Sequence, residues 1–258
     1  MAESETTYSK SEGSRPFVWC PDRAFMLPYL DREFGLDSLM PSEEPSVILS
    51  ADPVLCLPDT ADFAVMLSST EVYARKDGTD IPEDSRLDTL SPWYAREQAF
   101  SQACALASVP CAILRCANIV GTGMNGLAMR LAHAVWRGWP LHLAGNEAVV
   151  SVVHAVDVAR LVRLVLGTPC VVNVTDGVAT PVDLLIEAFA YRLDNKRVAS
   201  LGTKQTAFAK LIYGKRNFAL LTTSLTYADD GMKSMFPDFR PNVVTDYLKT
   251  HVYDDESL

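Results

Sequence analysis

No stretch of this 258-residue chain comes near the roughly 18 consecutive apolar residues that a membrane-crossing helix needs. The sequence therefore offers no bilayer-spanning segment. It also lacks a basic run longer than the pair Lys215-Arg216, and its 23 basic residues face 32 acidic ones, a net charge of -9. An acidic surface repels phosphate backbones, which argues against a general nucleic-acid role. None of the six cysteines (Cys20, Cys56, Cys104, Cys111, Cys116, Cys170) forms a C-x-x-C pair. Most lie in apolar runs, so they read as buried free thiols in a reducing compartment rather than as disulfides or zinc ligands. The opening MAESETTYSKSEGSR has no basic-then-apolar leader pattern. Residues 1–15 read as a disordered polar tail, and the chain is expected to be cytoplasmic. No internal repeat is present.

Hydrophobic residues make up 48% and charged residues 21%, ordinary values for a water-facing globular chain. Spacing predicts a strand at Phe17–Cys20 and a helix from Arg23 to Phe34, capped by Asp22 and stopped by Gly35. Val47–Leu49 and Phe63–Leu67 are further strands. Ala74 to Ser91 is polar and reads as a long surface loop. Ser91 caps a helix that has Pro92 at its first position and runs to about Ala107. Next come a strand from Cys111 to Arg115, a break at Gly121-Thr122-Gly123 and a helix from Gly126 to Arg137. Val149–Val153 and Cys170–Val174 read as strands around a helix from Val156 to Leu166. Thr180-Pro181-Val182-Asp183 reads as a capping box. Short helices fill the last fifth. Continuous apolar strands alternating with helices indicate α/β architecture with a parallel sheet covered on both faces.

Five segments then carry a resemblance: LSSTEVYA (Leu67–Ala74), SPWYAREQAF (Ser91–Phe100), ILRCANIVGTG (Ile113–Gly123), VVHAVDVARLV (Val152–Val162) and VVNVTDG (Val171–Gly177). In order and spacing they resemble the extended short-chain dehydrogenases/reductases, the NAD-dependent epimerase/dehydratase family that acts on sugar nucleotides. The resemblance is full from about Phe63 to Arg192 and fainter to about Thr250. It implies a Rossmann-like doubly wound parallel sheet over residues 16–175, truncated in its N-terminal half. A small, mostly helical C-terminal lobe would span 176–258, with further lobe elements within 121–150. The helix after Ser91 commonly pairs between subunits in that family, which implies a homodimer.

The family's chemistry needs a tyrosine that exchanges a hydroxyl proton while a hydride moves to or from a nicotinamide. A free tyrosine titrates near ~10, so it needs help to act at neutral pH. In the family a lysine one helical turn further on favours the phenolate and holds the cofactor ribose. By resemblance Tyr94 is that tyrosine and Ser69 the hydroxyl that shares the proton. Glu71, in Ser69-Thr70-Glu71, fits the dehydratase glutamate that takes the proton beside a sugar ketone; an exposed turn glutamate is the plainer reading. The lysine position holds Gln98, which can hydrogen-bond a ribose but carries no charge. At about 100° per residue, Arg96 lies roughly 200° around the helix from Tyr94 and cannot replace it. Asn118 would lie near substrate and cofactor.

The family's G-x-x-G-x-x-G turn, which lets helix N–H groups hold a pyrophosphate, has no counterpart before Ser69. Pro21, Asp22, Arg23 and Ala24 stand where those glycines belong, and the run before Ser69 is short by at least one strand-helix unit. Val149-Val150-Ser151 supplies no diphosphate-binding arginine ahead of His154. Three functions stay open. The chain can be a family fold that binds NAD or NADP poorly and serves as a binding or partner subunit. It can be an active epimerase, dehydratase or reductase with a remodelled NAD(P) site, acting on a nucleotide-sugar. Or it can be a cofactor-independent proton-transfer enzyme using Ser69, Glu71 and Tyr94. His154 and Asp157 read as structural groups, and no metal site is expected.

Overall fold

The computed structural model describes residues 18–19, 26–34, 47–50, 57–121, 126–139, 141–194, 198–202, 214, 218–219 and 221–250. The strands there are β1 (Val18–Trp19), β2 (Val47–Ser50), β3 (Phe63–Ser69), β4 (Gly78–Ile81), β5 (Cys111–Cys116), β6 (Asn118–Val120), β7 (His142–Leu143), β8 (Val149–Val150), β9 (Val152–His154), β10 (Cys170–Val174), β11 (Thr180–Pro181), β12 (Ser200–Leu201) and β13 (Leu225–Tyr227). The helices are α1 (Leu27–Phe34), α2 (Pro92–Ala107), α3 (Gly126–Trp136), α4 (Ala155–Leu164), α5 (Val182–Arg192), α6 (Asp230–Met235) and α7 (Val244–Thr250).

Strand alternation decides the layering. Five strands form one sheet in the order β1-β2-β3-β5-β10, and every neighbouring pair is parallel. Val47, Leu49, Val65, Leu67, Leu114 and Val172 join the core beneath α1 and α4. Their neighbours Ile48, Ala64, Met66 and Ile113 join Phe100 and Cys104 of α2 on the opposite face. Both faces are thus covered, as a doubly wound parallel sheet requires. Each fully buried Val, Leu, Ile, Met or Phe among them contributes roughly 1.5–3 kcal/mol. A second core gathers Leu127 and Leu131 of α3, Leu185 and Phe189 of α5, and Val244 and Leu248 of α7. Gly121 sits where α1 and α4 converge on the end of β6. A Cβ there would lie 2.6 Å from the Tyr29 hydroxyl and 2.8 Å from Ala155 Cβ, so no larger residue fits without a shift.

Three expectations are corrected. The stretch Ala74–Ser91 is not all loop: β4 lies within it and pairs with β13, a partner too distant in sequence for local pattern to show. Val149–Val153 is two strands rather than one. β8 pairs with β11 and β13, whereas β9 pairs with β6. Ser151 marks the break: its hydroxyl accepts from Tyr227 N at 3.0 Å and its carbonyl from Asn118 Nδ2 at 2.9 Å. Thr180-Pro181-Val182-Asp183 is not a capping box. Thr180 pairs with Val150 in β11 and its hydroxyl has no partner among the described residues. The first helical N–H, that of Val182, donates to Ala148 O at 2.9 Å instead. The expected tail at residues 1–15, the cap Asp22 and the glycine-replacing residues Pro21, Arg23 and Ala24 lie outside the described residues.

Candidate active site

The site expected from sequence lies at the carboxyl end of β3. Ser69 ends that strand and caps a single 3-10 turn, Thr70–Val72, its Oγ accepting from Glu71 N at 3.1 Å. Ser91 ties this turn to the start of α2. Its hydroxyl accepts from Trp93 N at 3.3 Å and donates to Glu71 O at 3.2 Å. Tyr94, in the first turn of α2, packs against the cluster of Val72, Tyr73, Ile81, Ala117 and Tyr227. The Ser69 turn and Tyr94 are therefore neighbours through one bonded hinge. Glu71 itself is exposed.

Position 98 is different. Gln98 lies one turn beyond Tyr94 and is exposed. Two described cations, Arg96 and Lys76, have partners of their own. Arg96 stacks on the Trp93 ring at 4.7 Å. Lys76 donates to Tyr73 O at 2.6 Å and Glu71 O at 2.9 Å and lies 3.7 Å from Asp88. Asn118 begins β6 and spends its amide N–H on Ser151 O.

The larger polar assembly is one that sequence reasoning passed over. Strand register places Ser68, Arg115 and Asn173 side by side across β3, β5 and β10. All three are buried, and so is Glu97 of α2 above them. Arg115 forks onto Glu97 with Nε···Oε1 3.0 Å and Nη2···Oε2 2.8 Å, and Ser68 Oγ donates to the same Oε1 at 2.6 Å. Arg115 Nη1 also donates to the Tyr73 hydroxyl at 3.2 Å, which donates to Asn173 Oδ1 at 2.7 Å. Asn173 Nδ2 closes the chain on Ile81 O and Ala228 O. Burial pushes the Tyr73 hydroxyl up, although Arg115 and Asn173 oppose it. Such a paired and bonded guanidinium is the arrangement in which a buried ion pair is tolerated. The residues stand inside LSSTEVYA, ILRC and VVNV, but only register reveals that they form one row.

Tyr227 is a second omission. It stacks on Tyr73 with centroids 5.7 Å apart and shares a side-chain hydrogen bond with Thr70. Burial pushes its hydroxyl up to about 12. No pattern in β13 announces this contact with the Ser69 turn.

His154 and Asp157 hold the C-terminal segment. His154 Nδ1 accepts from Val156 N and caps α4, and its ring lies 3.9 Å from that of Tyr247. Asp157 accepts from Asn242 N at 2.8 Å, and Asp176 from Val244 N at 3.0 Å and Val178 N at 3.1 Å. Among the described residues no group of three His, Cys, Asp or Glu could hold a metal ion. No helix there is long and apolar enough to cross a membrane.

Comparisons with known proteins agree with this architecture. Residues 56–174 match the NAD dependent epimerase/dehydratase family. No curated protein matches the sequence. Among solved structures, human epimerase family protein SDR39U1 (isoform 2) with NADPH is 11% identical, with a TM-score of 0.63 over 90% of this chain and 97% of that one. The UDP-glucose 4-epimerase of Thermotoga maritima with UDP-glucose is 14% identical, with a TM-score of 0.61 over 91% and 96%. The Bordetella bronchiseptica enzyme WbmG in complex with NAD is 14% identical, with a TM-score of 0.64 over 96% and 99%. The same parallel, doubly covered sheet thus recurs at identities that speak for fold alone. Its strands β3, β5 and β10, with the Ser69 turn and the Tyr94 helix between them, fall inside the matched segment. Over residues 56–174, just under half of its length, the chain is similar to the NAD dependent epimerase/dehydratase family.

Proposed function

We propose that this chain keeps the epimerase/dehydratase fold while binding NAD or NADP weakly or not at all, and acts as a binding or partner subunit. One observation carries the reading. The position one turn beyond Tyr94 is an exposed, uncharged glutamine, and among the described cations Arg96, Lys76 and Arg115 have partners of their own. A cofactor would bring the hydride acceptor or donor. The residues here do not fit the ribose clamp that goes with it, because Gln98 has no charge to hold beside Tyr94. The start of α1 supports the same reading. Among the described residues there, Pro28 has no N–H and that of Tyr29 donates to Met26 O, which removes two first-turn donors that a pyrophosphate could use.

A second reading has its own support. The turn after Ser69 is tied to the start of the helix that carries Tyr94, and two of the similar structures are complexes with NADPH and NAD. An active epimerase, dehydratase or reductase would then use a remodelled cofactor site and a nucleotide-sugar. Glu71, exposed beside Tyr94's helix, is the group a cofactor-independent proton transfer would use. Leu106 is 79% exposed near the end of α2, which suits a homodimer through that helix. Calorimetric titration with NAD(H) and NADP(H) separates the first two readings. No saturable heat up to millimolar cofactor is the expected result, and binding in the micromolar range would overturn the first reading. Solvent-proton exchange into ketosugar substrates, lost in Glu71→Gln, would point to the third.

A further inference from the structure

We propose that Cys104 and Cys111 are a reversible redox pair, which a peroxide joins as a disulfide between the end of α2 and the start of β5. Cys104 is 2% exposed and belongs to the core that α2 forms with Ile48, Met66 and Ile113. Cys111, half-buried, packs against that same core, and the two thiols are hydrogen-bonded to each other. The chain between them is already folded back. Val109 N donates to Cys104 O at 2.9 Å, Ser108 N to Ala105 O at 3.2 Å, and Ser108 takes the left-handed φ of 56°. Pro110 O is pinned by Ala64 N at 3.1 Å. Closing the bridge therefore orders little that is not already ordered.

The two sulfurs have unequal chemistry. The hydrogen bond from Cys104 lowers the Cys111 thiol to about 7 against the opposing effect of burial, while the bond to Cys111 and burial hold the Cys104 thiol well above its usual range. Cys111 is also the more exposed of the two, so it is the sulfur that a peroxide reaches first and the nucleophile of the pair. Its thiolate attacks one peroxide oxygen. An S–O bond forms, the O–O bond breaks, and the leaving hydroxide takes a proton to become water. The Cys104 sulfur then attacks the sulfenic sulfur. An S–S bond forms, the S–O bond breaks, and the departing hydroxyl leaves with the Cys104 proton as a second water. Two thiols lose two electrons and the peroxide gains them. A glutathione-type thiol reverses the step. Cys170, pushed up to about 11 by burial and by Cys111's charge, is a poor competitor. The bridge would lock the helix that carries Tyr94, Glu97 and Gln98 to strand β5.

The test uses the full reduced chain, treated with stoichiometric hydrogen peroxide, alkylated and mapped by mass spectrometry. The expected product is a Cys104–Cys111 linked peptide lighter by two hydrogens, reversed by dithiothreitol and kept in Cys170→Ser. Cys111→Ser should abolish it. In the untreated chain Cys111 should alkylate at least about tenfold faster than Cys170 at pH 7. A bridge through any other cysteine overturns the proposal. So does a sulfinic Cys111 beside an alkylatable Cys104, or no oxidation at all. The wild-type map decides even if a variant folds poorly.

Discussion

Ser68 and Ser69 are adjacent, and so are Glu97 and Gln98, yet they belong to two unlike polar regions. Ser68 and Glu97 are buried in a closed network with Arg115, Tyr73 and Asn173. Ser69 and Gln98 border the candidate active site, where Gln98 and Glu71 are exposed. The difference follows from periodicity. Successive strand residues face opposite sides of a sheet, and successive helix residues are about 100° apart. Charge in this pair of regions is concentrated in the framework. The full fork of Arg115 is spent on Glu97, while the position beside Tyr94 that the family fills with a lysine is neutral.

The largest test breaks the framework. Arg115→Met leaves Glu97 buried without its countercharge and should cost about 3–5 kcal/mol in urea unfolding. The double variant Glu97→Met/Arg115→Met should recover much of that, since removing both charges removes the penalty of leaving one unpaired. A single-variant loss below about 1 kcal/mol would show that the network is not buried as described.

A second test concerns the acids that hold the C-terminal segment. Burial raises Asp176 from 3.8 to about 6, with the N–H groups of Val244 and Val178 opposing the rise and Asp157 adding to it. Asp157 is also raised by burial, against Asn242 and Arg160. A carboxyl that is raised on folding stabilises the chain below its unfolded value, and that stability is lost as pH rises through the folded value. Asp176 should therefore contribute stability that is complete below about pH 3.8 and gone above about pH 6, roughly 3 kcal/mol across the window. Asp176→Asn should flatten the stability–pH curve there relative to wild type. An unchanged slope between pH 4 and 6 would contradict it. Tyr73→Phe should have a smaller effect. It removes the hydroxyl between Arg115 and Asn173 and should cost about 1–3 kcal/mol by thermal unfolding.

The buried sheet was legible because burial on both faces writes itself as apolar runs, as in FAVML and CAILRC. The places of Ser69 at a strand end and of Tyr94 in the first turn of a helix were legible because both sit in local patterns. The Ser68–Arg115–Asn173 row was not, because it depends on register between strands far apart in sequence. β4 escaped notice for the same reason, since its partner is β13. Tyr227 reaches Thr70 only through tertiary packing. Thr180 misled because a sequence that reads as a cap was used as a strand, its backbone already claimed by Val150.

The smallest stability effects belong to the exposed region, and they sharpen the contrast most. Gln98→Lys and Glu71→Gln alter surface groups and should change unfolding free energy by no more than about 0.5 kcal/mol. Gln98→Lys, however, places a cation one turn from Tyr94. It should raise affinity for NADH by at least about tenfold, roughly 1.4 kcal/mol, if a missing charge is what weakens the site. Glu97→Lys, one residue away, should do the reverse: unfold the chain by setting a second cation against Arg115, with no gain in cofactor binding. Parallel calorimetry and urea unfolding of the two variants measure both quantities. If Gln98→Lys leaves NADH affinity unchanged while the fold is intact, the weakness lies instead at the pyrophosphate end, where the first turn of α1 holds Pro28, which has no N–H.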